Sequence, residues 1–263
     1  MPPSRPRRLS AEGNPDPWPE GVARRVLPSV DSTNAEAARL APNLTGPCWI
    51  LGLEQTGGRG RRGRPWVSPR GNFYATLVLR PAENAEVVAL RSFAAALALR
   101  DALVAVTGLP DAFTLKWPND VLLNGGKLAG ILLESSGQGG RVGHLAIGIG
   151  VNLMSAPDAA LVEPGAVPPV SLLSETGLRL SPETFLDHLA PAYARREAVF
   201  QRDGFAPLRS DWLAHAARLG EPIRARTGSR TEEGVFETID PTGALVLRQG
   251  VTRLAIPAAE VFF

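Results

Sequence analysis

Five arginines fall within residues 59–70, at positions 59, 61, 62, 64 and 70, and no acidic residue lies among them. Three glycines interrupt the run Gly58-Arg59-Gly60-Arg61-Arg62-Gly63-Arg64, so side chains leave the backbone N–H groups uncovered. Amides and guanidinium groups together can wrap an anion. Taken alone, such a loop fits nucleic acid, a nucleotide or plain solvation. Other chemistries find less support. The three histidines, His144, His188 and His215, and the single cysteine show no metal-ligand spacing. Cys48 lies in the apolar run Cys48-Trp49-Ile50-Leu51 and reads as a buried small hydrophobe rather than a reactive thiol.

The chain around the loop is nearly neutral. Its 263 residues carry 28 basic and 26 acidic side chains, a net charge of +2, so the arginines are a local feature and not part of a broad basic surface. A hydrophobic share of 44% is enough for a buried core, in one large domain or a large and a small one. No apolar run reaches the length of a membrane span, and the first twenty residues lack a signal core; the expectation is a cytoplasmic protein with a loose tail over 1–20.

The elements that must position the loop are legible in outline. A strand is expected over 22–29, then a helix whose start is marked by the capping-box spacing of Thr33 and Glu36 and whose end is set by Pro42. Strands over 48–54 and 72–80 flank the loop. Helical spacing of Val87, Leu90, Ala94, Leu97 and Leu103 predicts one long helix over 83–106, with Gly108 just beyond. A strand over 113–117 ends at Pro118. Residues 121–124, the pair Gly125-Gly126 and residues 127–135 read as a hairpin, a turn is expected at 137–140, and a strand follows over 141–153. In that strand Gly148 and Gly150 suggest close backbone approach. Residues 172–217 are helical. Four short strands, over 222–227, 231–240, 244–249 and 251–256 with turns at Gly228-Ser229 and Pro241-Thr242-Gly243, form a small β unit. The expected division is a tail (1–20), a larger domain (21–217) and a C-terminal β domain (218–263).

Five segments, in this order, resemble the biotin protein ligases: Asp31-Ser32-Thr33-Asn34; Glu54-Gln55-Thr56-Gly57-Gly58 running through the arginine loop to Pro65-Trp66; Lys116-Trp117-Pro118-Asn119-Asp120; Lys127-Leu128-Ala129-Gly130-Ile131-Leu132; and Ile147-Gly148-Ile149-Gly150-Val151-Asn152-Leu153. The resemblance spans roughly 22–263. It implies an α+β fold, a mixed β-sheet with packed helices like the catalytic domain of class II synthetases, followed by an SH3-like β-barrel. It implies that biotin and ATP are converted to biotinyl-5′-AMP, with magnesium as cofactor, and that biotin passes to a lysine of a biotin carboxyl carrier domain.

The same resemblance implies the site residues. Lys127 would sit between the biotin carboxylate and the α-phosphate, where an ammonium offsets developing charge. Arg61 would retain the adenylate, and Asp120 would hold magnesium. Ser32, Thr33, Asn34 and Gln55 suit biotin's ureido group, which offers one acceptor and two donors. Gly58, Arg59 and Gly60 belong to the loop that folds over the ligand, and Gly130 would admit a close approach to it. Arg64, Asn119 and Asn152 are expected near the nucleotide, and Trp66 over its adenine. Only about twenty residues precede the match, too few for the winged helix-turn-helix that some members carry, so no DNA binding is expected. Monomer and homodimer both stay open. Two other readings compete: a lipoate ligase or lipoyl transferase of the same fold, and a non-enzymatic nucleic-acid module. The latter is opposed by the near-neutral charge and an aromatic share of only 6%.

Overall fold

The computed structural model describes residues 14–138, 141–158, 162–163, 165–228 and 230–263. Residues 1–13 of the expected tail, and Gly139, Gly140 and Ser229 of two expected turns, lie outside the described residues; 14–19 form no helix or strand. Strand β1 (Ala23–Leu27) leads to helix α1 (Thr33–Leu40), β2 (Cys48–Gly52), the arginine loop and β3 (Phe73–Leu79). Helices α2 (Ala85–Ala89) and α3 (Arg91–Thr107) follow, then β4 (Phe113–Lys116), β5 (Asp120–Leu123), β6 (Gly126–Gln138) and β7 (Arg141–Val151). Helices α4 (Leu172–Thr176), α5 (Pro182–Asp203) and α6 (Phe205–Ala214) precede β8 (Pro222–Thr227), β9 (Arg230–Ile239), β10 (Leu245–Gln249), β11 (Thr252–Ile256) and β12 (Glu260–Phe262).

The first seven strands form one mixed sheet in the order β1-β2-β3-β7-β6-β5-β4, parallel only between β1 and β2. The last five form an antiparallel sheet, β11-β10-β9-β8-β12. This is the expected mixed sheet with helices plus a small C-terminal β unit. Strand β12 was not anticipated: at three residues it is too short to show an alternating pattern.

Alternation divides the large sheet into two faces. Trp49, Leu51, Ile147, Ile149 and Val151 enter the main core with α3 and α5. Cys48, Ile50, Val78 and Ala146 meet Ala37 of α1 on the other face, so Cys48 is indeed a buried apolar residue, with burial raising its thiol pKa. On that second face β7 carries Ala146, Gly148 and Gly150, and it is there that the cavity opens.

Three local expectations need correction. The long helix over 83–106 is two helices, broken at Leu90 by the tighter bonds Leu90 N–H to Val87 O (3.1 Å) and Phe93 N–H to Leu90 O (3.0 Å). The break lies beside Arg91, only 2% exposed, whose guanidinium donates to Glu197 of α5 (2.8 Å) and to Glu83 (2.8 Å). The helix at 33–40 has Ser32, not Thr33, at its cap position, and no side chain caps it. The Thr33 hydroxyl instead donates to Gln55 Oε1 (3.1 Å). The hairpin turn is centred one residue earlier than Gly125-Gly126: Asn124 (φ 50°) and Gly125 (φ 82°) take the left-handed conformations that a two-residue turn requires.

The C-terminal unit is docked, not tethered. Trp117 Nε1 donates to Gly243 O (3.1 Å), Arg209 to Thr238 Oγ1 (3.1 Å), and Trp212 of α6 meets Phe236 edge-on at 6.5 Å. Among the described residues no helix is long and apolar enough to cross a membrane.

Candidate active site

A cavity of about 640 Å³ lies on the glycine-bearing face of the large sheet. Its floor follows from strand register. Tyr74, Gly150 and Gly130 form one row across β3, β7 and β6; Thr76, Gly148 and Leu132 form the next. Two side chains use the space that the absent Cβ atoms leave. A Cβ on Gly148 would stand 2.3 Å from Asn34 Oδ1, and one on Gly150 would stand 2.8 Å from the Trp66 indole. A Cβ on Gly130 would also touch that ring, at 3.3 Å. The close approach expected at Gly148 and Gly150 is therefore present, and the partners are the protein's own side chains. At Gly130 the neighbour is likewise Trp66.

The polar row is tightly interlinked. Gln55 Oε1 accepts from Thr33 N–H (2.9 Å), and Gln55 Nε2 donates to Ser68 Oγ (3.0 Å), which donates to Trp66 O (2.8 Å). Thr76, wholly buried, donates to Asn34 Oδ1 (2.6 Å), while Asn34 Nδ2 donates to Glu134 (2.7 Å). Helix α1, the start of the loop and the sheet are thus joined at the cavity wall through groups that are uncharged apart from Glu134. Ser32, Thr33 and Asn34 are all buried and line it.

The charged row lies one step along. Asp120 opens β5 and pairs across its hairpin with Lys116, the last residue of β4. Lys127 Nζ is 2.8 Å from Asp120 Oδ1, and Lys116 Nζ is 3.6 Å from Oδ2. Oδ1 has no well-aligned hydrogen-bond donor, so Lys127 engages it as an ion pair. Burial opposes ionisation of Asp120, but the two ammonium groups outweigh it and hold the carboxyl below the usual aspartate range. Burial also draws the Lys116 ammonium below the ordinary lysine range, against the attraction of Asp120. Lys127 Nζ lies 5.7 Å from the Trp66 ring centroid, within cation–π reach, and Trp66 Nε1 is buried with no hydrogen-bond partner among the described residues.

The arginine loop roofs the cavity and is held there by carboxylates. Arg59 pairs with Glu134 (3.2 Å). Arg64 forms ion pairs with Glu260 of β12 and with Glu163 (3.2 Å), and Arg62 reaches Glu260 (3.3 Å). Arg226 of β8 completes the cluster through Glu163 (2.5 Å) and Glu260 (2.7 Å). Arg61 differs: its guanidinium donates to neutral acceptors, Asn119 Oδ1 (3.4 Å) and Ala259 O (3.3 Å). Asn119 donates to Ile131 O (2.7 Å), and Asn152 to Val170 O (3.1 Å).

Of the residues singled out in the sequence, Ser32, Thr33, Asn34, Gln55, Arg59, Gly60, Arg61, Arg64, Trp66, Asn119, Asp120, Lys127, Gly130 and Asn152 all line this one cavity. Gly58 does not. A Cβ there would collide with Ser68 Oγ (2.5 Å) and Trp66 O (2.6 Å), so it serves the packing of the loop itself. Lys116, Glu134, Glu163, Arg226 and Glu260 were missed. Lys116 stands inside a recognisable segment, but nothing in the sequence marks a lysine as buried. The carboxylates and Arg226 join the site only through tertiary pairing.

The described residues supply no cage of three protein ligands for magnesium, an ion that commonly binds through one or two carboxylates plus substrate phosphates. Among those described, no group of three or more His, Cys, Asp or Glu side chains could hold a metal. Asp120 turns both oxygens toward ammonium groups, which a divalent cation would have to displace or oppose.

Residues 26–152 match the biotin/lipoate A/B protein ligase family, and residues 219–263 match the biotin protein ligase C-terminal domain. The chain belongs to the biotin/lipoate A/B protein ligase family. It is 61% identical to a biotin–[acetyl-CoA-carboxylase] ligase of Paracoccus denitrificans, over 90% of this chain and 99% of that protein. It is 31% identical to the bifunctional ligase/repressor BirA of Escherichia coli, over 88% of this chain and 70% of that protein. Among solved structures, a biotin protein ligase from Aquifex aeolicus in complex with biotin and ATP superposes with a TM-score of 0.75 at 26% identity, covering 91% of this chain and 97% of that one.

Proposed function

We propose that this protein is an ATP-dependent biotin protein ligase. The biotin carboxylate attacks the α-phosphorus of ATP, the bond to the β-phosphate breaks, and pyrophosphate leaves. The product, biotinyl-5′-AMP, is a mixed anhydride. The amine of an acceptor lysine then attacks its acyl carbon, the C–O bond to AMP breaks, the amine loses a proton, and an amide forms on a biotin carboxyl carrier domain.

One observation carries this reading: a single cavity juxtaposes a wall of neutral donors and acceptors with a cluster of cations. Ser32, Thr33, Asn34 and Gln55 suit a ureido group, which is polar and uncharged. Lys127, at the adjoining row, is placed to stand between a carboxylate and a phosphate, whose mutual repulsion is the main obstacle to the first step. Arg61, with its charge directed to neutral acceptors, is available to the phosphate of the adenylate. Trp66 and the loop above it would keep water from the anhydride. The 61% identity to the Paracoccus ligase supports biotin over lipoate as the acid.

The test is incubation of the protein with biotin, ATP and MgCl2, followed by mass spectrometry for biotinyl-adenylate and by pyrophosphate release. Lipoate replaces biotin in a parallel reaction. Adenylate with biotin supports the proposal. Adenylate with lipoate alone would reassign the substrate, and product from neither acid would overturn the enzymatic reading.

A further inference from the structure

The cluster at the cavity base holds one more cation than the chemistry above uses. Lys116 is buried, its side chain 8% exposed, and the carboxylate it faces is Asp120, whose side chain is 9% exposed. Lys127 reaches the same carboxylate from the cavity side and is far more open, at 32%. Two ammonium groups therefore flank one carboxylate, a net charge of +1. Desolvating a lysine is unfavourable, so its place beside Asp120 calls for a reason beyond packing.

We propose that Lys116 is a positioning residue that acts through Asp120 and thereby frees Lys127 to move. The inference rests on the ligase reading above. An entering carboxylate or phosphate competes with Asp120 for Lys127. If Lys127 left, a lone buried carboxylate would remain, and that state is strongly disfavoured. Lys116 removes the obstacle, because it stays 3.6 Å from Oδ2 while Lys127 turns to the substrate. The asymmetry of exposure fits this division: the open lysine exchanges partners and the buried one does not. Lys116 touches no reacting atom in this scheme.

Three variants test it by steady-state pyrophosphate release: Lys116→Met, Asp120→Asn and the double variant. Lys116→Met leaves Lys127 as the one lysine against Asp120 and so holds it in place. The expected loss in kcat is on the order of 100-fold, with the KM for biotin changed by less than about threefold. In the Asp120→Asn background no carboxylate needs neutralising, so adding Lys116→Met should change kcat by less than about threefold. A packing role for Lys116 would give no such relief. Lys116→Arg, which keeps the charge, should lose less than about tenfold, and thermal midpoints establish that each variant is folded. The proposal is overturned by Lys116→Met activity near wild type, by losses that multiply in the double variant, or by Lys116→Arg as inactive as Lys116→Met. An inactive wild type would instead overturn the ligase reading, and this inference with it.

Discussion

Replacing Gly150 by alanine tests whether the position of Trp66 governs the site. The new methyl would lie 2.8 Å from Nε1 and Cε2 of the indole and 3.0 Å from Cζ2. Carbon atoms pack best at roughly 3.5–4.0 Å, so the ring must retreat by about 1 Å. Strand β7 cannot yield, because β3 and β6 bond it on both sides. The loop can, since Trp66 is anchored mainly by its N–H to Gly58 O (2.9 Å) and by Ser68. Overpacking of this size carries about 1–3 kcal/mol. If Trp66 covers the adenylate, that energy appears in ligand retention, as a dissociation rate some 5- to 150-fold faster, with little change in the thermal midpoint. The assay is the lifetime of enzyme-bound biotinyl-adenylate after gel filtration, with indole fluorescence as a local probe. In a Trp66→Ala background Gly150→Ala should have no further effect. Unchanged retention in Gly150→Ala, or the same loss with and without Trp66, would refute the argument.

Three further outcomes follow from the geometry. Arg61→Gly removes the loop cation whose hydrogen bonds go to neutral groups; it should release adenylate and give diffuse biotinylation of bystander proteins on blots, whereas tight retention would remove Arg61 from this role. Glu260 is held at about 2, below its ordinary 4.5, because Arg64 and Arg226 outweigh the effect of burial. A depressed carboxylate stabilises the fold above its unfolded pKa and loses that contribution as pH falls through the folded one. The gap in urea midpoint between wild type and Glu260→Gln should thus be full above about pH 4.5 and close toward pH 2; a gap independent of pH would dismiss the ion pairs as its source. Glu197→Gln removes one of the two carboxylates on buried Arg91, leaving Glu83, and should destabilise by about 1–3 kcal/mol in denaturant titration, without altering the KM for biotin.

The sequence shows which residues gather but not how they are paired. The segment Ile147-Gly148-Ile149-Gly150 reveals both its faces, because strand alternation is a local property. Most of the cavity lining was legible for a different reason: glycines, short polar groups and a turn lysine occur in a recognisable order. The helix break at Leu90 was hidden because its apolar spacing continues through the break. What sets the break apart is the buried pairing of Arg91 with Glu197, 106 positions away. The carboxylates that hold the roof were invisible for the same reason. Glu163 and Glu260 lie about 100 and 200 residues beyond the loop, and neither stands in a patterned segment.

Those carboxylates offset the charge of the basic loop within a nearly neutral protein. Arg59 is matched by Glu134, while Arg62, Arg64 and Arg226 share Glu163 and Glu260. An anion approaching these arginines would therefore have to displace existing ion pairs, which weakens any non-specific attraction. At the lysine pair the balance is different. Lys116 and Lys127 exceed Asp120 by one charge, and the Arg61 guanidinium donates to the neutral acceptors Asn119 Oδ1 and Ala259 O. Positive charge is thus left in excess at the two lysines and offset by carboxylates along the rest of the loop.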